Sequence, residues 1–309
     1  MSLFRPLFLL CVTLLLALLL LVMLALLVGA LLPGGGWLAF ASTRSGSDWD
    51  IYLLDRQRRI VWPLTDNPLP NHDLYPAWSP AGRLLFMSSR GGNYSLYTMD
   101  ALGGSVARVT PQALLPLDNS FGIWSPDGRR IVFASQRNGD AEIYVMNADG
   151  RDLLRLTHND GYDGFPSWTA DGRAILFSSF RGEDHVDVYQ MDAALGDSQL
   201  VNLSPQPGDD FAPRASPDGR FIVYYSNRDG NLELYSARTD GTQPRRLTDN
   251  PGDDIYPAWL PDSSGVLFSS NRSGDEEIYL LRLADGQPVG DPINLTQNPA
   301  LDRFGVWWP

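Results

Sequence analysis

Hydropathy divides the chain at residue 36. Residues 7–32, LFLLCVTLLLALLLLVMLALLVGALL, run for 26 positions without a charge. As a helix rising about 1.5 Å per residue they reach about 39 Å, enough to cross a hydrocarbon core of about 30 Å with some tilt. From Trp37 onward the pattern changes to short apolar runs such as WLAFAS, RIVFAS and EIYVM, separated by polar segments. These runs are rich in β-branched and aromatic residues and too short for core helices, so they predict strands. Pro-Asp-Gly and Asp-Gly between them predict tight turns, with φ preset at Pro and permissive at Gly.

The strands come in a repeating unit. One copy, Phe121 to Thr157, reads FGIWSPDGRRIVFASQRNGDAEIYVMNADGRDLLRLT. An arginine after a short apolar strand recurs at Arg44, Arg90, Arg137, Arg181, Arg228 and Arg272, at spacings of 46, 47, 44, 47 and 44 residues. A tyrosine follows at Tyr52, Tyr97, Tyr144, Tyr189, Tyr235 and Tyr279. A hydroxyl closes each copy at Thr65, Thr110, Thr157, Ser204, Thr248 and Thr296. Units of this length with four strands predict propeller blades. The first unit lacks its innermost strand, and the chain ends with an unpaired one, FGVWWP at 304–309. The prediction is an all-β, six-bladed β-propeller of four-stranded blades over 37–309, closed by the C-terminal strand completing blade 1. Residues 1–36 before it form a stub, one transmembrane helix and a short Gly linker.

Arg5 precedes the apolar segment and the next basic residue is Arg44, so the positive-inside tendency places the N-terminus in the cytoplasm and the propeller outside it. The expected localisation is a single-pass signal-anchor with an extracytoplasmic domain, or a secreted domain if Val28-Gly29-Ala30 is cleaved. The linker 33–36 reaches only about 14 Å, which turns the Ser-Pro-Asp-Gly face of the ring toward the membrane. The sole cysteine, Cys11, lies in the apolar segment and is read as a membrane-helix residue; it permits neither an intramolecular disulfide nor a Cys-based zinc site.

The net charge of −12 carries a further exclusion. All 24 basic residues are arginine against 36 acids, and so acidic a chain lacks the basic footprint that nucleic acid demands. There is no Gly-x-Ser-x-Gly nucleophile elbow, and His72, His158 and His185 fall at unequal places in their blades. Enzymatic chemistry is therefore not expected, and no cofactor. Five residues before the inner-strand Trp position stand Asp73, Asn119, Asp163, Asp210, Asp254 and Asp302, with Asp118, Asp209 and Asp253 beside three of them. In a propeller these loops converge on the channel mouth. The acids there predict either a binding ring for a divalent cation, a cationic ligand or a basic protein segment, or a salt bridge repeated with the arginine of each blade. The extra acids Asp118, Asp209 and Asp253 have no partner in the repeat and carry the functional expectation. Blade 5 places Ala215 where the others carry Trp78, Trp124, Trp168, Trp259 and Trp307, which predicts a notch in the inner wall. Trp49, Trp62 and Trp308 fall outside the repeated position and are expected to be exposed.

These repeats, of the form YPxWSPDG…IxFxSxRxGxxxIYxMxxDGxxxxxLT, resemble those of the TolB-type propeller family over essentially all of 37–309. The chain departs from that family in lacking its separate α/β domain before the propeller. The resemblance implies a non-enzymatic binding or scaffold module of the cell envelope, with an envelope protein or peptidoglycan-associated lipoprotein as partner. A small-ligand or carbohydrate sensor is the alternative, and hydrolase or lyase activity is disfavoured.

Overall fold

A computed structural model describes residues 36–46, 48–57, 59–111, 118–181 and 184–308. The expected membrane helix, Cys11, the cleavage site and the linker up to residue 35 lie outside the described residues. Within them the strands form six antiparallel sheets arranged as blades, each ordered from an inner strand to an outer one. The inner strands are Asp302–Trp307, Asp73–Trp78, Asn119–Trp124, Asp163–Trp168, Asp210–Ala215 and Asp254–Trp259, for blades 1 to 6. Blade 1 takes its inner strand from the C-terminus: Leu38 faces Trp307 and Ser42 faces Asp302. Blade 6 departs from the simple unit, since Gln287–Pro288 and Ile293–Asn294 both pair with its third strand, Glu277–Ala284.

The repeated marks have physical partners. Each closing hydroxyl accepts the backbone N–H of a third-strand residue of its own blade, from Ile51, Leu96, Ile143, Val188, Leu234 and Ile278 at 2.9–3.3 Å. Each repeat tyrosine lies beside a second-strand ring: Phe40, Phe86, Phe133, Phe177, Tyr224 or Phe268. The repeat arginine spreads its guanidinium over both rings, with all twelve distances between 4.1 and 5.8 Å. Second strands are among the most buried parts of the blades; Trp37–Ser42, Phe221–Ser226 and Gly265–Ser270 are buried at every residue.

The inner strands are not regular. The third residue of each, Tyr75, Phe121, Phe165, Ala212, Tyr256 and Phe304, has φ between +51° and +58°. This region is uncommon for residues with a Cβ, and here it accompanies a shift of register against the second strand in every blade. Five of these residues are aromatic, and their rings meet on the axis: Tyr75 lies 3.8 Å from Phe304 and 4.6 Å from Phe121, Phe121 4.0 Å from Phe165, and Tyr256 4.5 Å from Phe304. The axis is therefore plugged, with a residual space of about 40 Å³ beside the rings.

Candidate functional site

The strands alternate in direction, so the Pro-Asp-Gly turns lie on one face of the ring and the loops entering the inner strands on the other. On that second face the eight candidate acids fall into two groups. Asp73, Asp163, Asp210, Asp254 and Asp302 are each 0% exposed. They pair with the arginine of their own blade: Arg90–Asp73 at 2.7 Å, Arg181–Asp163 at 2.8 Å, Arg228–Asp210 at 2.7 Å, Arg272–Asp254 at 2.5 Å and Arg44–Asp302 at 2.6 Å. In blade 3 the Arg137 guanidinium donates to the Asn119 carbonyl oxygen at 3.0 Å. These five carboxylates thus do not open on the mouth; each meets a guanidinium already fixed over two rings. Burial pushes the Asp163 carboxyl up to about 6 against the opposing pull of Ser179 and Arg181, and it raises Asp210, Asp254 and Asp302 in the same direction.

Asp118, Asp209 and Asp253 are half-buried, and they do have partners. Each accepts a backbone N–H from the preceding blade: Asp118 from Tyr94 at 2.9 Å, Asp209 from Val186 at 2.9 Å and Asp253 from Leu232 at 3.1 Å. His72 stands at the same point of blade 2, where its Nδ1 accepts the Trp49 N–H at 3.2 Å. These residues latch one blade to the next. His158 and His185 lie in other surroundings, near Asp197 and Asp187 respectively. Among the described residues no three His, Cys, Asp or Glu side chains gather as a metal would require. Trp49, Trp62 and Trp308, expected to be exposed, are partly buried: Trp62 packs edge-on against Trp37, Trp308 lies 4.4 Å from Trp78, and Arg303 covers Trp49.

The Pro-Asp-Gly face carries two clefts. A cleft of about 840 Å³ runs between blades 4 and 5, and a second of about 410 Å³ continues it toward the axis. Thr169, Ala170, Ala215 and Pro217 line both. Asp171, Asp192, Asp218 and Asp240 edge the larger cleft, against Arg173. The Thr169 hydroxyl and the Arg173 N–H hold Asp171 below the usual carboxylate range, and the Thr242 hydroxyl and N–H do so for Asp240. At Asp218 burial works upward, but the Ser216 hydroxyl and Arg220 outweigh it. The rim is therefore anionic at neutral pH. Arg214 borders both the smaller cleft and the axial space; burial lowers its guanidinium to about 10 and one N–H meets the Pro213 carbonyl at 3.0 Å. Ala215 announced this region in the sequence. Ala170, Ala174 and Arg214 did not, because their significance lies in what faces them across a blade junction.

Fold and surface together define a closed propeller with a buried acid–arginine pair in five of its blades and a cleft of about 840 Å³ at one blade junction. The family model for the TolB beta propeller domain matches residues 115–206 and 199–294, and the chain belongs to that family. A Tol-Pal system protein TolB of Francisella tularensis is 32% identical over 200 residues, which cover 64% of this chain and 41% of the relative; the match thus spans about two fifths of the relative's length. TolB from Acinetobacter baumannii superposes with a TM-score of 0.73 at 22% identity, over 89% of this chain and 67% of that one. A putative TolB from Agrobacterium tumefaciens gives 0.68 at 22% identity, over 89% of this chain and all of that one. At such identities the two structures establish the fold.

Proposed function

We propose that the chain is a non-enzymatic protein-binding module of the cell envelope, held at the membrane by residues 7–32 with its propeller on the extracytoplasmic side. The observation that carries this reading is the disposition of polar groups in a TolB-family ring. The buried Asp–Arg pairs tie strands within a blade and the half-buried acids tie blade to blade. What remains for an outside molecule is a rigid surface with a cleft, which suits docking rather than bond-making. The Tol-Pal relatives supply the partner class: an envelope protein or peptidoglycan-associated lipoprotein. The test is capture of purified peptidoglycan-associated lipoprotein and Tol components from the same cell by the immobilised full chain. Saturable retention of one of them supports the module. Retention of none, from a chain shown to be folded, overturns it. Protease protection of the propeller in intact cells, lost when the outer barrier is opened, checks the topology.

A further inference from the structure

The junction between blades 4 and 5 is trimmed at three places at once. In blades 3 and 4 the same junction is filled: Trp168 donates its indole N–H to the Ile123 carbonyl at 3.3 Å, Arg130 covers the ring at 4.6 Å, and Pro126 packs beneath the Gly172 turn. One blade further on, Ala215 replaces the tryptophan, Ala174 stands where Arg130 stood, and Ala170 stands where Pro126 stood. Trp259 of blade 6 resumes the pattern, donating to the Arg214 carbonyl at 3.0 Å. By the same register, the carbonyl an indole would meet at the trimmed junction is that of Ser167. Two independent features thus coincide: a slot shaped by the loss of one aromatic side chain, and an anionic rim of Asp171, Asp192, Asp218 and Asp240 around it.

We infer that this notch is a docking site for a basic segment of a partner protein, which inserts one aromatic side chain against Ala174 and Ala215 while its flanking cations meet the rim carboxylates. The inference rests on the protein-binding reading above and gives it a place on the Pro-Asp-Gly face. Apolar filling and charge complementarity act together here: the ring buries in a slot lacking its own indole, and the rim selects positive flanks.

The experiment titrates the full chain, kept in neutral detergent because of its apolar residues 7–32, with three blocked pentapeptides. These carry tryptophan between two arginines on each side, alanine between the same arginines, and tryptophan between glutamates. The first peptide is expected to bind saturably, and each of the other two at least about tenfold more weakly. Ala215→Trp restores the side chain of the other blades and is expected to abolish the difference between the tryptophan and alanine peptides while melting no lower than the native chain. Ala174→Arg closes the slot from the opposite wall and is expected to do the same. Equal affinity for the tryptophan and alanine peptides, or unchanged discrimination in both variants, overturns the notch. The two readings fail separately. If Ala215→Trp still retains the envelope partner as well as the native chain does, the notch is not that partner's site although the module stands. If the peptide discriminates as expected but no envelope partner is retained, the module falls and the notch stands.

Discussion

The two faces of the ring use aspartate in opposite ways. On the face of the inner-strand entries the five inner-strand carboxylates sit wholly inside the protein against an arginine, and burial raises Asp163, Asp210, Asp254 and Asp302 above the usual carboxylate range. On the Pro-Asp-Gly face Asp127, Asp171 and Asp262 are exposed at turns, and the hydroxyl and N–H of neighbouring residues lower them instead. A repeated charge is therefore not one kind of feature. Inside, it ties second strand to inner strand through a guanidinium held over two rings; outside, it shapes a hairpin turn and leaves its charge facing solvent.

Both faces depend on closure of the ring, so the largest effect should come from breaking it. Removing residues 302–309 takes away the inner strand of blade 1, the Asp302–Arg44 pair and the Phe304 ring at the axis. It also uncovers the edge of Trp37–Ser42, a strand buried at every position. The expected outcome is a chain without a cooperative thermal transition, read by circular dichroism; a sharp transition in the truncated chain would refute closure as the stabilising device.

The next effect separates the two faces directly. Arg228→Ala leaves the fully buried Asp210 without its cation and is expected to cost about 3–5 kcal/mol. Arg173→Ala, beside an exposed Asp171 at 4.0 Å, should stay within about 0.5 kcal/mol. Denaturant unfolding of the two variants measures the contrast, and similar losses would erase it.

A smaller effect concerns pH and has a definite sign. An acid whose folded pKa is raised contributes stability that is complete below its unfolded value near 3.8 and is lost as pH climbs through its folded value, here about 6 for Asp163. A shift of this size corresponds to at most about 3 kcal/mol. Asp163→Asn removes that dependence, and blade 3 already accommodates the amide, with Arg137 donating to Asn119. Melting curves between pH 4 and 7 should show the variant gaining on the native chain as pH rises. A constant gap across that range would mean that Asp163 titrates as it does in the unfolded chain.

Legibility from sequence followed the kind of partner each residue has. The arginine, tyrosine and hydroxyl marks were readable because one side-chain type meets the same need in every blade, and six marks at five near-constant spacings gave the ring and its closure. The axis plug was not readable. Tyr75 or Phe304 looks like an ordinary strand aromatic until the positive φ of its bulge turns it inward, and no residue type signals that bulge. The notch was visible at Ala215 alone; Ala170 and Ala174 gain meaning only beside a neighbour some forty residues away. Asp118, Asp209 and Asp253 were read as free acids because a backbone N–H donor leaves no trace in sequence.

The last of these supplies the finest test. Asp209 accepts the Val186 N–H of blade 4 through Oδ1 and the Asn227 amide through Oδ2 at 2.9 Å, so its work depends on acceptor oxygens rather than on charge alone. Asp209→Ala removes both bonds and should cost about 1 kcal/mol. Asp209→Asn keeps an oxygen for Val186 and should recover most of that loss, even though the charge is gone. Stability of the two variants, measured together with partner retention, separates latch from ligand contact. Full stability with lost retention in Asp209→Asn would move this carboxylate from the structure of the ring to its binding surface, and the second face would then present one working charge among its buried ones.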